Sequence, residues 1–128
     1  MKIQGKVHWN AKGFAFVVPG EGREDVFVPP EGLMGAMHGD LVEVWAYREK
    51  KGLRGEVLSV LTRNPVTVSG TYRERKKQGI VIPFDPFPYA IVIPPARRGA
   101  ARDGDLVTAA VDPPRAVERT RTVTARIE

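Results

Sequence analysis

The amino-acid sequence predicts an all-β protein built as two small, closed, five-stranded barrels in tandem. Three observations lead there. Short strand-like runs follow one another at close spacing, broken by Gly and Pro turns, with almost no room for a helix. In two of these runs, KGFAFVV (Lys12 to Val18) and DVFVPP (Asp25 to Pro30), small and β-branched residues alternate with aromatic ones. The whole pattern then occurs twice.

The repeat sets the domain count. VFVPP (Val26 to Pro30) returns as IVIPP (Ile91 to Pro95), 65 positions on. AFVVP (Ala15 to Pro19) returns as GIVIP (Gly79 to Pro83), 64 positions on. GAMHGDLV (Gly35 to Val42) returns as GAARDGDLV (Gly99 to Val107) with one inserted residue, and Gly5 matches Gly70. Matches in the same order at near-constant spacing imply two homologous units, residues 1–63 and 66–128. Asn64-Pro65 between them is a turn pair with little flexible length.

Within the first unit, strands are read at residues 3–9, 13–19, 24–29, 40–47 and 54–62. Gly39-Asp40 is a turn signal that opens the fourth strand. Pro29-Pro30 stops the third, since proline cannot continue a ladder. Glu31 to Met37 has space for about one helical turn and is too Gly-rich for more. Five short strands without a helix point to a closed barrel of the OB-fold or cold-shock-like type.

Composition narrows the function classes. The chain has 128 residues, 42% hydrophobic and 27% charged, which is a globular balance. Its net charge of +5 suits a polyanionic partner. The excess is concentrated in the second half: residues 1–64 carry nine Lys/Arg against eight Asp/Glu, and residues 65–128 carry eleven against seven. Without cysteine there is neither a disulfide nor a thiolate metal site. No apolar run is long enough to span a bilayer as a helix, and no secretory signal is visible, so a soluble, cytoplasmic location is expected.

Strand alternation also supplies the candidate site. If Ala15, Val17, Val26 and Val28 face a core, Phe14, Phe16 and Phe27 share the opposite, wet face. Exposed flat rings suit stacking against unpaired nucleobases. Trp9 and Lys12, just upstream, add a ring and a charge. In the second unit Gln78, Ile80 and Val92 stand where Phe14, Phe16 and Phe27 stand in the first, so the aromatic face is gone. A basic cluster, Arg73, Arg75, Lys76 and Lys77, precedes its second strand and suits phosphate contact.

Competing readings attach to several of these residues. The phenylalanine face also suits an interface between barrels or with another subunit, and Trp9 also suits a core lid over a barrel mouth. Trp45 and Tyr47 read as packing between barrels or against an absent partner. Phe84, Phe87 and Tyr89 read as filling a barrel edge. Arg97, Arg98, Arg102, Arg115, Arg119 and Arg121 read as solvated charges. His8 and His38 read as isolated from each other and without Cys partners, so no metal is expected. Asp103 and Asp105 flank Gly104 as a structural turn.

The motifs KGFAFV and VFVPP, in that order and preceded by a tryptophan, resemble the cold-shock domain. Tandem copies with DVFVPP and GAMHGDLVEV resemble a narrower group, the N-terminal RNA-binding region of the ribonuclease II/ribonuclease R exoribonuclease family. The resemblance implies single-stranded RNA as partner, with Trp9, Lys12, Phe14, Phe16 and Phe27 as its platform. It implies a parent 3′→5′ exoribonuclease (a hydrolase of RNA degradation) whose catalytic domain holds magnesium on clustered aspartates. Asp40, Asp85, Asp103, Asp105 and Asp112 are scattered instead, so no catalytic residue and no cofactor is assigned within these residues. A stand-alone cold-shock-type RNA chaperone is the alternative.

Overall fold

The computed structural model describes residues 1–114 and 122–128, and the arginines at 115, 119 and 121 lie outside them. The chain divides into two compact units that meet between Asn64 and Pro65 in sequence.

The first unit contains β1 (Lys2–Trp9), β2 (Ala15–Val18), β3 (Val26–Val28), β4 (Leu41–Glu49) and β5 (Gly52–Thr62). A short 3-10 turn, Pro30–Gly32, is the helical content of the predicted stretch. The strands close in the order β1-β2-β3-β5-β4, with β4 returning to β1. The β3–β5 pair is parallel and the other pairs are antiparallel. Closure removes every free sheet edge, which is how so small a sheet avoids edge-to-edge association. Inside lie Val7, Ala15, Val17, Val26, Val28 and Val42, all fully buried. The period-two pattern in the sequence thus sorts residues inward and outward as predicted.

The second unit repeats the plan with β6 (Val66–Arg75), β7 (Gln78–Pro83), β8 (Ala90–Ile93), β9 (Leu106–Val111) and β10 (Thr122–Ile127). Its order is β6-β7-β8-β10-β9, and β8–β10 is again the parallel pair. The repeated glycines explain themselves here. A Cβ on Gly5 would lie 2.7 Å from the Val18 carbonyl oxygen, and one on Gly70 would lie 2.2 Å from that of Ile82. Both first strands cross the end of the second strand at backbone contact, and only glycine fits.

The cores differ in how they fill the same space. Tyr72 is fully buried where the first barrel has Val7, and Gly79 stands where the first barrel has Ala15. A Cβ on Gly79 would come within 2.5 Å of the Tyr72 ring. The larger ring and the smaller neighbour are therefore coupled, since the Tyr72 ring fills the space that a side chain at residue 79 would need.

The β6–β7 hairpin turns on Lys76 and Lys77, at φ of +49° and +68°. Left-handed backbone at a residue with a Cβ costs roughly 1–2 kcal/mol.

Candidate nucleic-acid interface

Register carries outward-facing residues of the first barrel into one row. Phe16 on β2 lies opposite His8 on β1 and Phe27 on β3. Phe27 lies opposite Arg54 on β5, and Arg54 opposite Tyr47 on β4. Phe14, in the loop before β2, joins them from one side. The three phenylalanine rings form a closed triangle, with centroids 5.4 Å (Phe14–Phe27), 5.8 Å (Phe16–Phe27) and 6.0 Å (Phe14–Phe16) apart. Phe16 is 40% exposed, while Phe14 and Phe27 are half-buried against their neighbours. Edge-to-face contact holds the rings in place and leaves part of their surface open.

Charge frames this face. The Arg54 guanidinium sits 5.6 Å from the Phe27 ring centroid, within cation–π range. Its other neighbours are Glu49 at 3.8 Å and Glu31 at 4.0 Å. An open groove of about 1150 Å³ runs beside the rings, bordered by Phe16 and Phe27, by the cations Arg48, Lys50, Lys51 and Arg54, and by the carboxylates Glu24, Asp25 and Glu49. Glu24 fixes its wall: one carboxylate oxygen accepts from Arg48 at 3.0 Å, the other from the Leu53 backbone N–H at 3.0 Å. The Arg48 hydrogen bond first, then that from Leu53, holds the Glu24 carboxyl below its usual value.

The remaining predicted residues sit differently. Lys12 is exposed in the β1–β2 loop, its backbone N–H bound to the Asn10 side chain at 2.9 Å. Trp9 is half-buried and packs on the barrel core, with its indole N–H donating to the Ala36 carbonyl at 3.3 Å. His8 and His38, read as isolated in sequence, have ring centroids 5.5 Å apart. The cause is local: the His38–Asp40 segment is laced onto β1 through Gly39 N–H to Val7 carbonyl and Val7 N–H to Asp40 carbonyl bonds. His38 Nδ1 also accepts the Trp9 backbone N–H at 3.1 Å.

Asp40 is more than the turn residue its sequence suggests. Its carboxylate is fully buried and accepts from the N–H groups of Met37 (2.9 Å) and Asn64 (2.7 Å) and from Arg63 (3.0 Å). It secures both the loop entering β4 and the residues leaving β5.

In the second barrel the corresponding row reads Arg73, Ile80, Val92, Thr124 and Asp112. Arg73 faces Asp103 at 3.6 Å, and Asp112 accepts from Arg97 and from Thr124. Hydrogen bonding from Arg97, then from Thr124, holds the Asp112 carboxyl below its usual value. Asp103 also accepts the Glu74 backbone N–H at 3.0 Å, and Asp105 that of Arg102 at 2.8 Å, so both aspartates act structurally. Arg75, Lys76 and Lys77 are exposed together at the hairpin tip. Phe84, read as filling a barrel edge, is 59% exposed, because the loop after β7 turns it outward. Phe87 and Tyr89 are half-buried with centroids 6.1 Å apart. Trp45 and Tyr47 are both exposed on β4.

A family model described as the Ribonuclease B OB domain matches residues 5–60, the span of the first barrel. The ribonuclease R of Chlamydia pneumoniae is 42% identical over a 66-residue alignment covering 47% of this chain and 10% of the relative. Among solved structures, Mycoplasma genitalium RNase R in complex with ribose methylated single-stranded RNA aligns with 98% of this chain and 21% of its own. The TM-score is 0.77 at 15% identity. Yeast Ssd1, a pseudonuclease, aligns with 99% of this chain and 22% of its own, with a TM-score of 0.76 at 17% identity. The chain thus spans about a tenth of the curated relative and about a fifth of each solved structure. The structural similarities show that both barrels share the fold of the matched regions of these proteins.

Proposed function

We propose that the chain binds single-stranded RNA on the outer wall of its first barrel, as the substrate-feeding region of a ribonuclease R-like 3′→5′ exoribonuclease. The observation that carries this is the triangle of Phe14, Phe16 and Phe27 on an open wall, with Arg54 over one of its rings. The relationship to ribonuclease R adds support, as does the single-stranded RNA bound to its Mycoplasma counterpart. Hydrolysis is assigned to a catalytic domain elsewhere in the same polypeptide.

The physical division of labour is simple. Phe16 and Phe27 offer faces on which bases lie flat, and Phe14 buttresses them. Arg54 offers a guanidinium plane to an adjacent base or a charge to its phosphate. Lys50 and Lys51 border the groove beside the rings, and Lys12 is exposed in the loop that carries Phe14, so each offers a charge to a phosphate. Stacking on aromatic rings is worth roughly 1–3 kcal/mol per base and is sequence-tolerant, as a feeding surface requires. If about four phosphates are neutralised, affinity falls roughly 50-fold between about 50 and 200 mM salt.

Fluorescence anisotropy with a labelled oligouridylate tests the reading. Phe16→Ala and Phe27→Ala are each expected to weaken binding about tenfold, with the salt slope unchanged, since stacking releases no counterions. Full affinity in both variants would overturn the base-stacking assignment.

A further inference from the structure

The loop between the first two strands differs between the barrels. In the first, five residues separate the paired positions Trp9 and Ala15, and Gly13 supplies a positive φ of +98°. In the second, four residues separate the equivalent pair, Glu74 and Gly79, and none of them is glycine. Arg75 pairs with Gln78, which leaves Lys76 and Lys77 as a two-residue turn with both backbones left-handed. Such turns select Asn-Gly or Asp-Gly. Two lysines are poor residues for this backbone, and a strained position invites a search for what its side chain does.

The surroundings answer. Arg73 is paired with Asp103, and Arg98 with Glu74. Arg75, Lys76 and Lys77 have no carboxylate within salt-bridge distance among the described residues. Lys76 and Lys77 line a cleft of about 550 Å³ together with Tyr72, Glu74, Pro95 and Arg98, and the Glu74 carboxylate there is already paired with Arg98. No ring projects from this barrel's Ile80 and Val92 positions to stack a base.

We propose that the β6–β7 hairpin tip grips the phosphodiester backbone of single-stranded RNA without reading its bases, and that Lys76 and Lys77 occupy a costly turn for their charge. This rests on the reading that the chain binds single-stranded RNA, and adds an interaction of different chemistry. A hydrated ammonium on a flexible four-carbon stem suits a phosphate that must keep moving. Phosphate interactions of that kind hold the strand and carry no sequence information.

The test replaces Lys76→Asn together with Lys77→Gly in the full chain. The turn then receives its preferred residues, and the unfolding midpoint is expected to rise by about 4 °C or more. Binding is measured with an oligouridylate of about 30 nucleotides, longer than the ~4–16 that one OB fold covers. It is expected to weaken, and the log–log salt slope to flatten by about 1.4, or ~0.7 for each phosphate no longer neutralised. Arg75→Gln leaves the turn alone and is expected to flatten the slope by about 0.7 with no gain in midpoint. An unchanged slope in both variants, while Phe16→Ala still loses affinity, overturns the hairpin assignment and leaves the first-barrel reading standing. A wild-type chain that fails to bind at about 50 mM salt overturns both.

Discussion

Strand for strand, the first barrel carries His8, Phe16, Phe27, Arg54 and Tyr47 across one wall, and the second carries Arg73, Ile80, Val92, Thr124 and Asp112. Strand order, the parallel closing pair and the Gly5/Gly70 crossing are shared. Backbone architecture has thus been kept while the outer wall has been rewritten. In the first barrel the rings are partly open and a cation stands over one of them. In the second, the row holds aliphatic side chains, and the charges at its ends are already compensated. One scaffold therefore supports two surface chemistries, because outward-facing residues of a small barrel are free of the core's packing demands.

The largest expected effect concerns the aspartates that open β4 and β9. Asp40 is fully buried and accepts two backbone N–H groups, whereas Asp105 is exposed. Asp40→Ala is expected to cost about 3 kcal/mol by stranding those donors, and Asp105→Ala about 1 kcal/mol or less. Urea unfolding of both variants checks this, and equal losses would erase the distinction between the barrels.

Next comes the aromatic wall itself. Phe16→Ala with Phe27→Ala is expected to remove roughly 2–3 kcal/mol of single-stranded RNA affinity. Placing the rings in the second barrel, by Ile80→Phe with Val92→Phe, is expected to return less than half of that. Thr124 and Asp112 stand there in place of Arg54 and Tyr47, so the cation beside Phe27 has no counterpart between the new rings and β9. Titrations of the two double variants side by side measure the asymmetry.

A smaller effect isolates the guanidinium. Arg54→Lys keeps a charge but loses the planar face over Phe27, and is expected to cost about 0.5–1 kcal/mol of affinity. An undiminished affinity would show that Arg54 contributes charge alone.

The smallest effect is acid sensitivity. Glu24 in the first barrel and Asp112 in the second both have carboxyls held below their usual values of 4.5 and 3.8. A depressed value means stability that is complete above the unfolded-state value and lost as pH falls through the folded one. Each barrel is expected to weaken slightly below about pH 4, and Glu24→Gln to remove that component from the first alone. Unfolding midpoints at acid and neutral pH check it.

Much of this was legible in the residues. The alternation of Ala15, Val17, Val26 and Val28 with the phenylalanines is a local, period-two signal, and it placed both strands and both faces. The repeat placed the second barrel. Arg54 and Tyr47 were not legible as part of the face, because Arg54 joins it through the parallel β3–β5 pairing and Tyr47 only through its place opposite Arg54. Such long-range pairings leave no mark on neighbouring residues. Trp9 was legible both as part of the platform and as a lid on the core, and its indole bond to Ala36 is a tertiary contact that the sequence does not show. Asp40 was visible as a turn residue but not as a buried hub, since its partners at 63 and 64 are distant in sequence.

The central claim is that unpaired bases lie on Phe16 and Phe27 and not on the matching positions of the second barrel. Aromatic and methyl NMR spectra during titration with a single-stranded oligoribonucleotide test it most directly. Upfield movement of the Phe16 and Phe27 ring protons, with the Ile80 and Val92 methyls nearly still, is the predicted result. Stationary phenylalanine rings at saturating oligonucleotide would contradict it.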